Sequence, residues 1–196
     1  MPRAGLDTAK VVACAAALAD EVGATRLTMG LLAQRLGVRP PSLYKHVAGQ
    51  EDLERRIAVL ALDEATDAVG TAVQGRSGRE ALGAAMQAFR RFVVDHPGRY
   101  LVGFGLVPLG PDDPLAGARA RQQEVLGAVL RAYDVDPQDA IHAQRAVRSL
   151  MHGFASIQAA NGFQYDVDLD ESYAWLVDVV DRALREAAPA GGSGTR

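Results

Sequence analysis

Apolar residues recur at helical spacing along nearly the whole chain, and this periodicity is the strongest constraint on its fold. Val11, Ala15 and Leu18 fall at positions i, i+4 and i+7, which lie on one face of an α-helix. Later segments repeat the pattern over longer stretches, whereas the alternation with period two that is typical of strands is absent. The sequence therefore predicts an all-α fold of nine helices.

Turn residues divide these helices into two groups. Three short helices, the first two ended by Gly23 and Gly37, are expected to form an N-terminal domain over residues 1–50. Six longer helices are expected to form a second domain over residues 51–188. The glycine-rich residues 189–196 are expected to be disordered.

The charge of the chain is distributed unevenly. Residues 1–50 carry six basic and three acidic side chains, whereas the other 146 residues carry 15 arginines and 21 acidic side chains. A basic N-terminal segment in an otherwise acidic chain favours an anionic partner, such as nucleic acid, at the N-terminal segment. The chain has no apolar run of about 18 residues and no signal-peptide pattern, so we expect a cytoplasmic protein without a membrane partner.

Sequence patterns of the common enzyme and metal sites are missing. We find no nucleophile elbow, phosphate-binding loop, metal-binding helix or dinucleotide fingerprint. Cys14 is the single cysteine, so neither an intrachain disulfide nor a cysteine zinc site can form. His142 and His152 are ten residues apart and do not share a helical face. We therefore expect no catalysis, no metal and no cofactor.

Residues 26–53 carry the motif that is most informative about function. Two short predicted helices are joined by Leu36-Gly37-Val38-Arg39, with Gly37 where a sharp turn requires a positive φ. This arrangement is a helix-turn-helix, whose second helix can lie in the major groove of DNA. Leu43 and Val47 are expected to face a small core. The exposed face of the same helix carries side chains that can contact bases or phosphates, namely Pro40, Ser42, Tyr44, Lys45 and His46.

This stretch resembles the DNA-binding domain of the TetR family of one-component transcriptional regulators. The resemblance covers about residues 7–60 and rests on three segments at fixed spacing, Leu36-Gly37-Val38, Pro41-Ser42-Leu43-Tyr44-Lys45-His46-Val47 and Glu51-Asp52-Leu53. It implies a homodimer, by the habit of the family a repressor, that binds a palindromic operator in double-stranded DNA. The residues expected to contact DNA are Thr28, Arg39, Pro40, Pro41, Ser42, Tyr44, Lys45, His46 and Gln50.

Two positions depart from the family pattern. Many members carry lysine or arginine where this chain has Gly30 and Gln50, so we expect modest DNA affinity and an unusual operator, with Arg39 as a compensating cation. The same departures leave open a second hypothesis, in which the protein is a helical adaptor that binds another protein and has lost DNA binding. Loss of salt-dependent DNA affinity would favour the adaptor.

The second group of helices resembles, more loosely, the ligand-sensing C-terminal domains named for a Trp-His-Gly motif. The match is Met151-His152-Gly153-Phe154, in which Met151 stands in place of the tryptophan. The resemblance implies a small-molecule effector, and the few charges on the inward faces favour an apolar or aromatic one. The same side chains can equally fill the core. The candidate effector contacts are Met86, Phe89, Phe92, Tyr100, Phe104, Leu126, Met151, His152 and Phe154.

The last two predicted helices have apolar faces that are wider than a single core contact requires. Two helices from each of two chains can form a four-helix interface, and the family dimerises in this way. A dimer would place two DNA-binding domains about 34–36 Å apart, which is the spacing of one helical turn of DNA. The candidate interface residues are Phe154, Ile157, Trp175, Val179 and Arg182.

Overall fold

Helices dominate the computed structural model, which describes residues 6–188. The α-helices are α1 (Thr8–Val22), α2 (Met29–Leu36), α3 (Gln50–Ala72), α4 (Gly78–Asp95), α5 (Pro97–Gly105), α6 (Pro114–Leu130), α7 (Ala140–Ala159) and α8 (Leu169–Glu186). A 3₁₀ helix over Pro40–Lys45 brings the number to nine, and single 3₁₀ turns follow α1 and α6. No strand occurs among the described residues, so the predicted all-α fold is confirmed. The expected disorder of residues 189–196 concerns positions outside the described range.

Side-chain caps fix the starts of several helices. The Asp7 carboxylate accepts a hydrogen bond from the backbone N–H of Lys10 at 2.7 Å, and the Thr28 hydroxyl accepts one from Leu31 at 3.2 Å. Asp168 caps α8 by accepting from two backbone N–H groups. Each cap satisfies donors that the first turn of a helix leaves without a partner.

Residues 6–64 and 95–120 form one compact unit, called below the first unit. Its core is continuous from α1 through α2 and the 3₁₀ helix to the first half of α3. Leu43 is fully buried and Val47 is 2% exposed, so their predicted burial is confirmed. The largest fully buried side chains of this unit are Val11, Leu32, Leu43, Leu53, Ile57, Leu62 and Leu115.

Helix α5 is fastened to α1 within this unit by ion pairs. The backbone N–H of Arg99 donates to Oδ1 of Asp20 at 2.8 Å. The Nε atom of the Arg99 side chain lies 2.8 Å from Oδ2 of the same carboxylate. Nη1 of Arg99 donates to Glu64 in α3 at 2.9 Å. One guanidinium therefore ties three helices of the first unit together.

Residues 65–94 and 121–188 form the second unit. Its core contains an arginine, Arg90, which is only 4% exposed. The Arg90 guanidinium donates to Gln158 at 2.7 Å and to Asp170 at 2.6 Å, and it lies over the rings of Phe154 and Tyr173. These contacts compensate the cost of burying the charge, and they join α4, α7 and α8.

Candidate functional site

The turn between α2 and the 3₁₀ helix depends on Gly37. Its backbone adopts φ 66° and ψ 30°, which is the left-handed region that the sequence predicted for this position. The N–H of Val38 donates to the carbonyl of Ala33 at 3.0 Å, and the N–H of Gly37 donates to that of Gln34 at 3.2 Å. These bonds close the end of α2 and redirect the chain sharply.

The second helix of the motif forms as a 3₁₀ helix rather than an α-helix. Pro40 and Pro41 occupy its first turn, and the N–H of Ser42 donates to the carbonyl of Arg39 at 2.9 Å, three residues back, which is the bonding pattern of a 3₁₀ helix. The buried Leu43 side chain holds this segment against the core from within. From α1, the Thr8 hydroxyl donates to the carbonyl of His46 at 3.4 Å.

The outward side of this segment, residues 39–46, is called below the 39–46 face. Its most exposed large side chain is Tyr44, which is 57% exposed. Arg39, Pro40, Pro41 and Lys45 are also exposed, whereas Ser42 and His46 are half-buried. The structure therefore brings seven of the nine predicted DNA contacts together on one short surface.

The 39–46 face carries two exposed cations, Arg39 and Lys45. Within residues 6–188, neither Arg39 nor Lys45 forms an ion pair. By contrast, Arg35 is paired with Glu21, and the hydrogen bond from its guanidinium lowers the pKa of the Glu21 carboxyl. Lys10 lies 3.1 Å from a carboxylate oxygen of Asp7. Arg39 and Lys45 are thus available to an external anion, as is the exposed Arg26, which donates to the carbonyl of Val22 and forms no ion pair among residues 6–188.

The two remaining predicted contacts lie beside the face. Thr28 is exposed at the start of α2, where its hydroxyl is engaged as the cap. The side-chain amide of Gln50 donates inward, to the carbonyl of Leu27 at 3.0 Å and to Glu54 at 2.7 Å. Gln50 therefore braces the start of α3, and its amide N–H groups are already in use.

The second unit encloses a cavity of about 40 Å³ between α3, α4, α6 and α7. Four of the nine predicted effector contacts, Phe89, Leu126, Met151 and His152, line it. The His152 ring packs edge-on against Phe89, with 4.6 Å between ring centroids. The complete lining is Ala65, Thr66, Val69, Phe89, Gln122, Gln123, Val125, Leu126, Gln144, Arg148, Met151 and His152.

The other five predicted effector contacts lie elsewhere. Met86 and Phe92 are buried in the second unit without lining the cavity, and Phe154 packs its ring 4.8 Å from that of Tyr173. Tyr100 and Phe104 belong to the first unit, where their ring centroids are 5.1 Å apart. Apolar periodicity identified the inward faces of the helices correctly. It did not distinguish residues that line the cavity from residues that are packed in the core.

Of the polar side chains that line the cavity, only His152 was predicted from the sequence. Gln144, Arg148 and His152 recur every four residues along α7, so a polar stripe on an otherwise apolar face was visible in the sequence. Gln144 donates to the carbonyl of Gln123 in α6 at 2.8 Å, which fixes that part of the wall. Thr66 contributes a hydroxyl from α3.

The predicted dimer residues lie on α7 and α8. Trp175 is 66% exposed and Ile157 is 45% exposed, whereas Phe154 and Val179 are half-buried and Arg182 is exposed. An apolar groove of about 330 Å³ runs along the same two helices and includes Ala146, Leu150, Val179 and Ala183. Exposed apolar side chains and an apolar groove on the same two helices are typical of a surface that packs on a partner.

Metal-binding clusters and membrane-spanning helices are both absent from the part of the chain that is described. Residues 6–188 contain no cluster of three or more histidine, cysteine or acidic side chains arranged to hold a metal ion. No helix in the same range has the length and apolar character needed to cross a membrane.

Comparison with known proteins identifies relatives along nearly the full length. Residues 82–180 match the family described as tetracyclin repressor-like, C-terminal domain. The HTH-type transcriptional regulator Rv0681 of Mycobacterium tuberculosis is 32% identical over 192 residues, which are 97% of this chain and 87% of that protein. The HTH-type transcriptional regulator YobS of Bacillus subtilis is 30% identical over 178 residues, covering 90% of this chain and 91% of its own. The narrower Trp-His-Gly class stays a prediction.

Solved structures give the same fold. A TetR variant from Acinetobacter baumannii AYE, crystallised in complex with minocycline, superposes with a TM-score of 0.70 and is 26% identical. The superposition covers 93% of this chain and 98% of that one. The order and packing of the helices are therefore shared with a structure that holds a small molecule.

Proposed function

The chain belongs to the TetR-like family of helix-turn-helix transcriptional regulators, and from this premise we propose that it is a ligand-controlled repressor. It binds a palindromic DNA operator as a homodimer and is released by a small-molecule effector. Residues 1–50 supply the DNA contacts, and residues 51–188 supply the effector site and the dimer interface. Such a regulator acts in the cytoplasm, where bacterial DNA lies.

The observation that carries DNA binding is the 39–46 face. Arg39 and Lys45 are exposed cations without an acidic partner among residues 6–188, and Tyr44 stands beside them. Cations of this kind neutralise phosphates, and tyrosine and histidine fix the register of a protein on the duplex. Pro40 and Pro41 present apolar surface suited to thymine methyl groups.

Dimerisation is supported by the exposed apolar side chains of α7 and α8. Trp175 and Ile157 would leave water on pairing with the same helices of a second copy, because a two-fold interface uses one patch twice. The apolar groove of about 330 Å³ along the same two helices has room for a partner side chain. A two-fold dimer also explains why the operator should be a palindrome.

Effector control is supported by the cavity of the second unit. Its volume of about 40 Å³ is close to the share of one water molecule and far below that of small-molecule sites, so a ligand must widen it. Ala65, Thr66 and Val69 line it from α3, a continuous helix that begins at Gln50, directly after the DNA-binding motif. A ligand that displaces α3 would favour one of two states of the protein. The A. baumannii TetR variant, which has this fold, was crystallised with minocycline, and this supports small-molecule binding by the present chain.

Selection of duplexes from a random DNA pool by the purified protein at physiological salt tests the proposal. We expect enrichment of a palindrome with half-sites about one helical turn apart. A variant with Arg39 and Lys45 both changed to glutamine should enrich nothing, whereas Arg76→Gln, which removes an exposed cation of the second unit, should enrich the same sequence. No enrichment, together with the absence of salt-dependent affinity for DNA, would instead favour the protein-binding adaptor.

A further inference from the structure

The lining of the cavity carries positive charge and no negative charge. Among its twelve residues, Arg148 is the one permanently charged side chain, and none is acidic. The remaining polar groups are a threonine, a histidine and three glutamines, and the rest of the lining is apolar. The cavity therefore combines hydrophobic walls with a single positive charge.

The half-buried Arg148 differs from the buried arginine of the same unit. Arg90 has both Asp170 and Gln158 within hydrogen-bond distance. Arg148 forms no ion pair with any residue between 6 and 188. A guanidinium that is partly withdrawn from water next to apolar walls loses hydration that no protein carboxylate replaces. An anion entering the cavity would supply the missing partner.

Arg148 lies between two other polar residues of α7 that line the cavity. Arg148 is one turn after Gln144 and one turn before His152, so all three lie on the same side of the helix. Gln122 lines the cavity from α6, while Phe89 and Leu126 provide apolar walls. This arrangement offers a charged end and an apolar body to one ligand.

We propose that the effector is an amphipathic carboxylic acid, with an aliphatic or aromatic body and one carboxylate that pairs with the Arg148 guanidinium. The inference rests on the proposed effector site and adds the chemical class of its ligand. The planar carboxylate matches the donor fork of arginine in two parallel hydrogen bonds. It is also smaller than a phosphate, so less widening of the cavity of about 40 Å³ is needed around the charged end of the ligand. Phe89, Leu126 and the flexible Met151 contact the body of the ligand.

Matched acids and amides separate charge recognition from apolar packing. The probes are octanoate with octanamide and phenylacetate with phenylacetamide, titrated into the dimer by calorimetry and added to its operator complex. We expect at least one acid to bind about tenfold more tightly than its amide and to release the operator at lower concentration, since a charge-assisted hydrogen bond contributes this much.

Two arginine variants on α7 complete the test. Arg148→Gln should lose the preference for the acid while it keeps the affinity for the amide, which also shows that the cavity remains folded. Arg145→Gln removes an exposed cation from the same helix outside the cavity and should keep the preference. Equal affinity for acid and amide, or an unchanged preference in Arg148→Gln, would overturn the carboxylate inference alone. Failure of every probe to bind would overturn it together with the effector site.

Discussion

Gly98 in α5 packs its backbone directly against the carbonyl group of Ala19 in α1. A β-carbon built on Gly98 would lie 2.1 Å from that oxygen, a distance that no pair of non-bonded atoms tolerates. Because the obstacle is backbone rather than a flexible side chain, α5 would have to move away from α1. Glycine is required at position 98 because the backbones of α5 and α1 approach each other closely there. A positive φ is not the reason, since Gly98 does not have one.

Gly98→Ala should therefore destabilise the protein by about 1–3 kcal/mol or more, because the first unit loses its close helix contact. The free energy of unfolding in urea measures the effect. Gly105→Ala, at the other end of α5, is the matched control, because a β-carbon there meets no atom within 4 Å. We expect the control to unfold at the wild-type urea concentration or slightly above it. Equal destabilisation by both changes would contradict the packing argument.

A buried carboxylate should make stability depend on acid pH. Asp181 accepts hydrogen bonds from Arg185 at 2.9 Å and from the Tyr133 hydroxyl at 2.6 Å. The Arg185 guanidinium, with the help of Tyr133, holds the pKa of the Asp181 carboxyl below its ordinary value of 3.8, although burial opposes this. The carboxylate therefore stabilises the fold fully above pH 3.8, and this contribution is lost as the pH falls through the lowered pKa.

Asp181→Asn removes this contribution. The variant should be less stable than the wild type by about 1–3 kcal/mol at neutral pH, and the difference should shrink as the pH is lowered from about 5 to about 2. Urea unfolding at a series of pH values measures it. Glu186→Gln, an exposed carboxylate of the same helix, should keep the wild-type pH dependence. A difference between Asp181→Asn and wild type that stays constant with pH would contradict the linkage.

Local features of the fold could be predicted because they depend on neighbouring residues. The burial of Leu43 and Val47 follows from their spacing, and the left-handed turn at Gly37 follows from the absence of a side chain there. The 3₁₀ form of the Pro40–Lys45 segment was not predicted, because prolines in a first turn are equally compatible with an α-helix.

Pairings between distant helices could not be predicted in the same way. The contact of α5 with α1 depends on Gly98 and Arg99, whose partners are about 80 residues away in sequence. For that reason Tyr100 and Phe104 were grouped with residues that line the cavity of the second unit. Periodicity reports which side of each helix is apolar, but it carries no information about the helix that covers it.

Lys45 should contact a phosphate of the operator. Lys45→Ala removes one of the exposed cations of the 39–46 face, so we expect weaker binding and a salt dependence of log K that is shallower by about 0.9. Fluorescence anisotropy with the selected operator at several salt concentrations measures both. Arg76→Ala should leave the slope unchanged, since that arginine is paired with Glu80 in the second unit. An unchanged slope in Lys45→Ala would remove the phosphate contact.

Gly30→Lys should strengthen operator binding. A β-carbon at Gly30 meets only the hydroxyl of Thr28, at an ordinary 3.8 Å, and the position is exposed in the first turn of α2. A lysine there can restore the cation that many family members carry, so the salt slope should steepen by about one phosphate contact. Gly30→Ala is the control, because it stabilises the helix by about 0.5–1 kcal/mol without adding charge. Equal slopes for the two variants would mean that this end of α2 does not face DNA.

Trp175→Glu should convert the dimer to monomers. Trp175 is 66% exposed, so its loss removes little internal packing, whereas two carboxylates near the two-fold axis of a dimer would repel each other and lose hydration. Sedimentation equilibrium at micromolar concentration should show the monomer mass, with an unchanged helical circular dichroism spectrum. Tyr165→Glu is the control, because this side chain is 90% exposed in the loop between α7 and α8 and is not among the predicted interface residues. A Trp175→Glu dimer with the wild-type dissociation constant would place the interface on another surface.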